Sequence, residues 1–254
     1  MRIGQLILRA LVVAAAVLPA AAARADQTIS VGVRNSMQAV LVAPDGAGPY
    51  PGVLVLHTSG GLKQADIAFA HELAREGYVA LVPAFMLAYG LTANARREAF
   101  TSDAEPIYAD LVAALGTLGR DPRVAGRKLG AVGFSNGGYF AMWLAATGKV
   151  AAGVSYYGAL SGAGTDKGLS RFKSVFARNS SPVLILHGTD DATVPYTAAR
   201  NLSLIVAAAG APVEFHLYDG AGHQFDRMSG DAADTAAAAD AWQRTRAFLA
   251  KYLR

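Results

Sequence analysis

Two hydrophobic patterns alternate along the chain from about residue 37 onwards. Short runs that are apolar almost throughout predict strands buried on both faces of a sheet. These runs cover residues 37–44, 52–57, 78–85, 128–134, 150–158, 182–188 and 213–218.

Amphipathic stretches lie between the predicted strands and indicate helices. In residues 103–118, apolar side chains recur at i, i+4, i+8 and i+11, which places them on one helical face. Residues 63–76 carry a second apolar stripe and end before Gly77, a typical C-cap residue. Further helices are expected after Ser135, after residue 194 and at the end of the chain. This alternation predicts an α/β fold, with a mostly parallel, twisted sheet and helices on both faces.

The first 25 residues differ from the rest of the chain. Arg2 and Arg9 precede or flank an apolar core, and a small-x-small sequence ends at Ala25, as in a secretory signal peptide. A membrane anchor is the alternative, but the core is shorter than the ~20 residues of a spanning helix, and Pro19 interrupts it. We therefore expect an exported protein, periplasmic or secreted. Residues 26–254 would form one domain, with no membrane span after cleavage.

Composition excludes several classes of function. The formal charge of +4 falls to about +1 once the three arginines of the leader are removed, and no basic run remains to bind nucleic acid. The chain has no cysteine, which excludes disulfides, a thiolate nucleophile and cysteine metal sites. Any nucleophile must therefore be a group other than a thiolate.

One short segment carries a candidate nucleophile. Gly133-Phe134-Ser135-Asn136-Gly137 is a Gly-x-Ser-x-Gly sequence between a predicted strand and a predicted helix. Such a turn holds the serine in a strained backbone conformation and exposes its hydroxyl above the sheet. The helix that starts there favours developing negative charge. A glycine-rich turn that only brings strand and helix close together is the alternative.

A serine nucleophile needs a base and an orienting acid, which follow it in the order acid, base in this kind of sheet. Of the histidines downstream, His187 and His216 lie in predicted strands, whereas His223 follows the last strand in "DGAGHQF". His223 is therefore the predicted base. The segment "HGTDDATVP" offers two acids, Asp190 and Asp191.

An oxyanion hole needs two converging N–H groups. Asn136, next to the serine, is expected to supply one. The turn "HTSGGL" after the second predicted strand supplies the other, which we assign to Ser59, with Thr58 as the alternative.

Two long loops, residues 84–101 and 159–180, start where strands end and are candidate pocket walls or plain surface loops. Aromatic and apolar side chains near these loops could line an acyl or aryl pocket, or simply pack in the core. The candidates are Phe85, Met86, Tyr89 and Tyr156, with Tyr157 beside the last.

Four segments in this order resemble the α/β-hydrolase superfamily and, within it, the dienelactone hydrolase family. They are "VLVLHTSGGL", "GAVGFSNGGY", "PVLILHGTDDATVP" and "YDGAGHQF". The family's acid turn, His-Gly-x-x-Asp-x-x-Val-Pro, laid on this chain from His187 to Pro195, implies that Asp191 is the acid. The chain departs from the family pattern at two positions: Ser135 stands where the family proper has cysteine, and Thr58 where it has glutamate.

The resemblance implies a serine hydrolase that cleaves small-molecule carboxylic esters through a Ser135-Asp191-His223 triad and an acyl-enzyme. No metal or organic cofactor is expected. A lactonase or an acyltransferase is the first alternative. A non-catalytic binding scaffold is the second, but such a scaffold would be expected to lack a triad member.

Overall fold

In the computed structural model, which describes residues 26–160, 167–227 and 231–254, eight strands form one sheet of order β1-β2-β4-β3-β5-β6-β7-β8. The strands are β1 (Gln27–Val31), β2 (Met37–Val42), β3 (Tyr50–Leu56), β4 (Val79–Pro83), β5 (Val124–Phe134), β6 (Ala152–Tyr156), β7 (Val183–Gly188) and β8 (Val213–Tyr218). Only the pairings of β2 with β1 and with β4 are antiparallel. The predicted mostly parallel sheet is confirmed, and β1 is an additional edge strand.

Seven α-helices of the described residues flank this sheet. They are α1 (Gln64–Arg75), α2 (Phe85–Ala88), α3 (Ala104–Leu118), α4 (Asn136–Ala146), α5 (Lys167–Val175), α6 (Tyr196–Ala208) and α7 (Ala232–Leu253). Buried side chains of α3, α4, α5 and α6 belong to the core on one face of the sheet. Those of α1 and α7 belong to the core on the other face. The prediction of helices on both faces is therefore confirmed.

The continuous apolar runs of the sequence reflect burial on both faces. In β3, Leu54 and Leu56 pack into one core, while Val53 and Val55 pack into the other. All four side chains are fully buried. Because successive residues of a strand point to opposite faces, a strand covered on both sides needs apolar residues at every position.

A buried carboxylate fixes the hairpin between β1 and β2 to helix α3. Asp110 of α3 accepts hydrogen bonds from the backbone N–H groups of Val33 (2.7 Å), Arg34 (2.6 Å) and Asn35 (2.8 Å), and from the Tyr89 hydroxyl (2.6 Å). Burial alone would raise the pKa of Asp110, but these four donors hold the pKa below its ordinary value.

The carboxyl ends of β3, β5, β7 and β8 meet along one edge of the sheet, where ligands bind in sheets of this kind. The leader predicted for residues 1–25 lies outside the described residues, as does part of the second long loop, residues 161–166. Within the described ranges, none of the helices has both the length and the apolar character needed to span a bilayer.

Candidate active site

Ser135 occupies a sharp turn between β5 and α4. Its backbone angles are φ 51° and ψ −111°, a region that non-glycine residues rarely adopt. The turn is possible only with glycines beside it. A Cβ on Gly133 would lie 2.1 Å from the carbonyl oxygen of Gly137, and a Cβ on Gly137 would lie 2.1 Å from that of Leu56. The two glycines of the sequence motif are therefore required because the backbone packs so closely at both positions that no side chain fits.

Asp191, in the turn after β7, has all four acceptor positions occupied. Oδ1 accepts from the N–H groups of Thr193 (2.9 Å) and Val194 (2.7 Å). Oδ2 lies 2.7 Å from Nδ1 of His223 and 3.1 Å from Nε2 of His187. Burial tends to raise the pKa of Asp191, but the two histidines and the Val194 N–H together hold the pKa well below its ordinary value. Asp191 is therefore ionised at neutral pH.

The neighbouring aspartate does not take this position. Asp190 is exposed at the surface, and its N–H donates to the carbonyl of Ala221. His187, in turn, places Nε2 2.9 Å from the Val194 carbonyl, so its ring braces the acid turn.

His223 lies in the loop that follows β8. Its Nδ1 faces Asp191, and the ring of Tyr157 packs edge-on against its ring with centroids 4.8 Å apart. The carboxylate holds the proton on Nδ1, which leaves Nε2 free to accept one. The next residue, Gln224, has φ 64°, so this loop is also locally strained.

Ser135 and His223 border the same cavity of about 470 Å³. Its wall also contains residues of the oxyanion turn, of the loop 84–101 and of the acid turn: Thr58, Ser59, Gly60, Lys63, Ala93, Arg96, Arg97, Phe100, Asn136, Ala159, Thr193, Val194, Pro195 and Gln224. Across the described part of the chain, the Ser135 hydroxyl makes no hydrogen bond to the His223 ring. Catalytic contacts of this type often tighten only when substrate binds.

The charge of this cavity wall is one-sided. Lys63, Arg96 and Arg97 line it, and among the lining residues that the structure describes there is no aspartate or glutamate. The same part of the chain that the structure describes contains no cluster of three or more His, Cys, Asp or Glu side chains able to hold a metal ion.

The predicted oxyanion donors border the cavity as well. Asn136 is the first residue of α4, so its N–H has no partner within the helix. In the opposite turn, Gly60 N–H donates to the Thr58 hydroxyl (3.2 Å), and Gly61 N–H donates to the Thr58 carbonyl (3.2 Å).

A sequence profile of the dienelactone hydrolase family matches residues 37–253. The chain belongs to this family. "Putative carboxymethylenebutenolidase" of Methylorubrum extorquens is 28% identical over 218 residues, 82% of this chain and 75% of the relative. "Probable 2-oxo-3-(5-oxofuran-2-ylidene)propanoate lactonase" of Bradyrhizobium is 28% identical over 226 residues, 86% of this chain and 91% of the relative.

A solved structure agrees with the family assignment. The crystal structure described as a "Putative Dienelactone Hydrolase" from Klebsiella pneumoniae superposes with a TM-score of 0.73 at 26% identity. The match covers 90% of this chain and all of that one. The protein is therefore a hydrolase with the α/β-hydrolase fold that the sequence predicts.

The pocket residues predicted for this dienelactone hydrolase family member require correction, because none of the four lines the cavity. Phe85 and Met86 are fully buried in the core as the first residues of α2. The Tyr89 hydroxyl is directed to Asp110. Tyr156 points from β6 towards α7, where its hydroxyl bonds to Thr245 (2.7 Å). A residue's position near a strand end did not determine the face to which its side chain points.

The cavity wall is formed instead by polar residues that sequence reasoning missed. Arg96, Arg97 and Phe100 come from the loop 84–101, which was a candidate pocket wall as a whole. Two consecutive arginines in that loop were the available signal.

Sequence reasoning also missed a cluster of charged residues around Arg227, four residues after His223. The Arg227 guanidinium is 2.8 Å from Asp66 of α1, 3.1 Å from Asp226 and 4.2 Å from the centre of the Phe134 ring. Asp226 also accepts a short hydrogen bond from Tyr157. These contacts join the loop after β8, which contains His223, to the start of α1 and to the residue before Ser135. No local sequence pattern predicts these contacts, because the partners are far apart in the sequence.

Proposed function

We propose that this hydrolase cleaves carboxylic esters through an acyl-enzyme on Ser135. The observation that carries the proposal is the Asp191–His223 pair, 2.7 Å between Oδ2 and Nδ1, on the rim of the cavity that Ser135 also lines. A strained serine at a helix start, an imidazole and a buried ionised carboxylate are the components of nucleophilic acyl transfer.

In the proposed first step, His223 Nε2 takes the proton of Ser135 as Oγ attacks the ester carbonyl carbon. Asp191 keeps the other ring proton on Nδ1 and stabilises the imidazolium. The N–H groups of Asn136 and Ser59 donate to the oxyanion. The tetrahedral intermediate collapses, and the leaving alkoxide takes the proton from His223. Water then repeats the sequence on the acyl-enzyme, which releases the acid and restores Ser135.

A second candidate is the opening of lactones that carry a carboxylate. The two relatives named above are called a carboxymethylenebutenolidase and a lactonase of a propanoate, and both names denote carboxylated lactones. Lys63, Arg96 and Arg97 favour this alternative, because three cations on one cavity wall attract an anionic ligand. The chemistry is the same, except that the leaving alkoxide stays attached to the acyl group.

The test is active-site labelling followed by substrate comparison. A fluorophosphonate should label the peptide that contains Ser135. The Ser135→Ala variant should lose labelling and on the order of 10⁶ in kcat, since the triad acts as a unit. Ser203→Ala, a serine on α6 away from the cavity, serves as the matched control and should behave as the wild type. Labelling at another residue would contradict the proposal.

Substrate comparison separates the candidates. A panel of p-nitrophenyl esters of increasing chain length is compared with carboxylated and uncharged lactones. A kcat/KM that is higher for carboxylated lactones, and that falls selectively for them in Arg97→Gln, would favour lactone opening over simple ester hydrolysis. Product analysis with a competing alcohol identifies an acyltransferase by its transesterified product.

A further inference from the structure

His57, at the end of β3, is a fully buried histidine that the proposed reaction does not use. Its ring stacks on Phe85, with centroids 4.2 Å apart and planes 14° apart. Nδ1 lies 2.6 Å from the carbonyl oxygen of Thr58. Since a carbonyl only accepts, Nδ1 carries the proton, and Nε2 is left as a lone-pair acceptor. Among the described residues, Nε2 has no hydrogen-bond partner.

This arrangement is costly for a residue that only fills space. A buried polar atom without a partner destabilises the fold, and an apolar side chain of similar size would avoid that loss. Burial also lowers the pKa of His57 to about 4, against the opposing effects of the Thr58 bond and of Asp66. The ring is therefore neutral at neutral pH and always offers its single N–H at Nδ1. An apolar residue lacks that N–H.

The N–H of His57 acts on a peptide plane that reaches the cavity. In a planar trans peptide the carbonyl of one residue and the N–H of the next point in opposite directions. The Thr58 carbonyl accepts from His57 Nδ1 (2.6 Å) and from the Gly61 N–H (3.2 Å), which occupies both of its lone pairs. The N–H of Ser59 thus points away from the buried ring, and Ser59 borders the cavity.

The preceding peptide distinguishes Ser59 from Thr58 as the donor. A Cβ on Gly137 would lie 2.8 Å from the carbonyl oxygen of His57, so this carbonyl is directed to the start of α4. In the planar peptide, the N–H of Thr58 then lies on the side opposite this carbonyl oxygen. The Gly60 and Gly61 N–H groups are already bonded within the turn. Among the described residues from Thr58 to Gly61, Ser59 thus combines an N–H that makes no hydrogen bond within the turn with a position on the cavity wall.

We propose that His57 is a positioning residue, whose Nδ1–H fixes the Thr58–Ser59 peptide so that the Ser59 N–H is presented as the second oxyanion donor. The inference rests on the proposed function, because an oxyanion forms only in acyl transfer. It assigns His57 no proton transfer and no contact with substrate.

Two substitutions test this role. His57→Leu removes the donor and keeps an apolar side chain, whereas His57→Asn places an amide N–H close to the position of Nδ1. With a p-nitrophenyl ester that the wild type hydrolyses, His57→Leu should lower kcat by about 10²-fold, approaching the loss of an oxyanion donor. KM should change by less than about threefold, since the donor acts in the transition state. His57→Asn should recover most of the lost kcat.

The pH profile and a stability control complete the experiment. Both variants should keep the shape of the wild-type kcat profile against pH, because His57 transfers no proton. Leu249→Ala, a buried residue of α7 whose side chain packs near Gly130 of β5, is the control for stability: it should lower the Tm and leave kcat unchanged.

Three outcomes would overturn the inference alone: an active wild type with an unaffected His57→Leu, an equal loss of kcat in His57→Asn, or a shifted pH profile. A folded wild type without turnover of any ester or lactone would overturn the proposed function, and the inference with it.

Discussion

Asp110 and Asp191 are two buried carboxylates with closely similar surroundings and different consequences. Each oxygen of Asp110 accepts two hydrogen bonds, from Val33 and Arg34 on Oδ1 and from Asn35 and Tyr89 on Oδ2. In both aspartates the bonding partners outweigh burial and lower the pKa.

The difference lies in the partners of one oxygen. Oδ2 of Asp191 faces the imidazoles of His187 and His223, and His223 borders the cavity. Oδ2 of Asp110 faces a backbone N–H and a tyrosine hydroxyl, neither of which changes its charge near neutral pH. A shifted pKa therefore does not by itself identify a catalytic acid. What separates the two sites is a histidine partner that borders the cavity.

The largest contrast is expected in activity. Asp191→Asn keeps the size of the side chain but cannot hold the His223 proton on Nδ1, so the proposed triad should lose about 10⁴-fold in kcat. Steady-state kinetics with a p-nitrophenyl ester measures this loss. Asp190→Asn, the exposed neighbour, is the matched control and should stay within about threefold of the wild type. If Asp191→Asn had a kcat similar to that of the wild type, Asp191 would, like Asp110, have no role in catalysis, which would contradict the proposed triad.

Asp110→Asn should show the opposite profile. The amide nitrogen would face the Asn35 N–H and the Tyr89 hydroxyl, so that buried donors lose their acceptor. The free energy of unfolding should fall by about 3 kcal/mol, measured by urea denaturation. The value of kcat should change by less than about fivefold, because Asp110 does not line the cavity. A kcat loss comparable to that of Asp191→Asn would remove the distinction drawn between the two sites.

The smallest effect is expected in the pH dependence of stability. The pKa of Asp110 is lower in the folded than in the unfolded state, so its stabilisation is present above the unfolded value of about 3.9 and is lost as pH falls through the folded value. The difference in unfolding free energy between wild type and Asp110→Asn should therefore narrow below about pH 4. Urea denaturation from about pH 7 to about pH 2.5 measures this difference in unfolding free energy. A difference that stays constant with pH would show that the negative charge of Asp110 does not contribute to stability.

Much of the fold was predictable because its signals are local. Strands covered on both faces leave continuous apolar runs, and helices covered on one face leave stripes, as in β3 and α3. The turn at Ser135 was recognisable because it requires a glycine two residues before and two residues after the serine, where the backbone packs too closely for a side chain. The segment β1 was missed, since a five-residue edge strand with three exposed residues carries little apolar signal.

The remaining parts of the site depend on contacts between distant segments. Whether Tyr156 faces the cavity or α7 depends on the register and twist of β6, which no short pattern reports. The pairing of Arg227 with Asp66 likewise joins residues that are far apart in the sequence. Asp110 and Asp191 could not be told apart by residue type, because the difference lies in their partners.

The cationic wall formed by Lys63, Arg96 and Arg97 has a consequence for the end of the catalytic cycle. Every ester or lactone that a hydrolase opens yields a carboxylate, so charges that draw an anionic ligand inwards also hold the product back. Under the proposed function, we therefore expect departure of the acid to compete with chemistry as the slow step, and added salt, by weakening that attraction, to accelerate release while slowing capture.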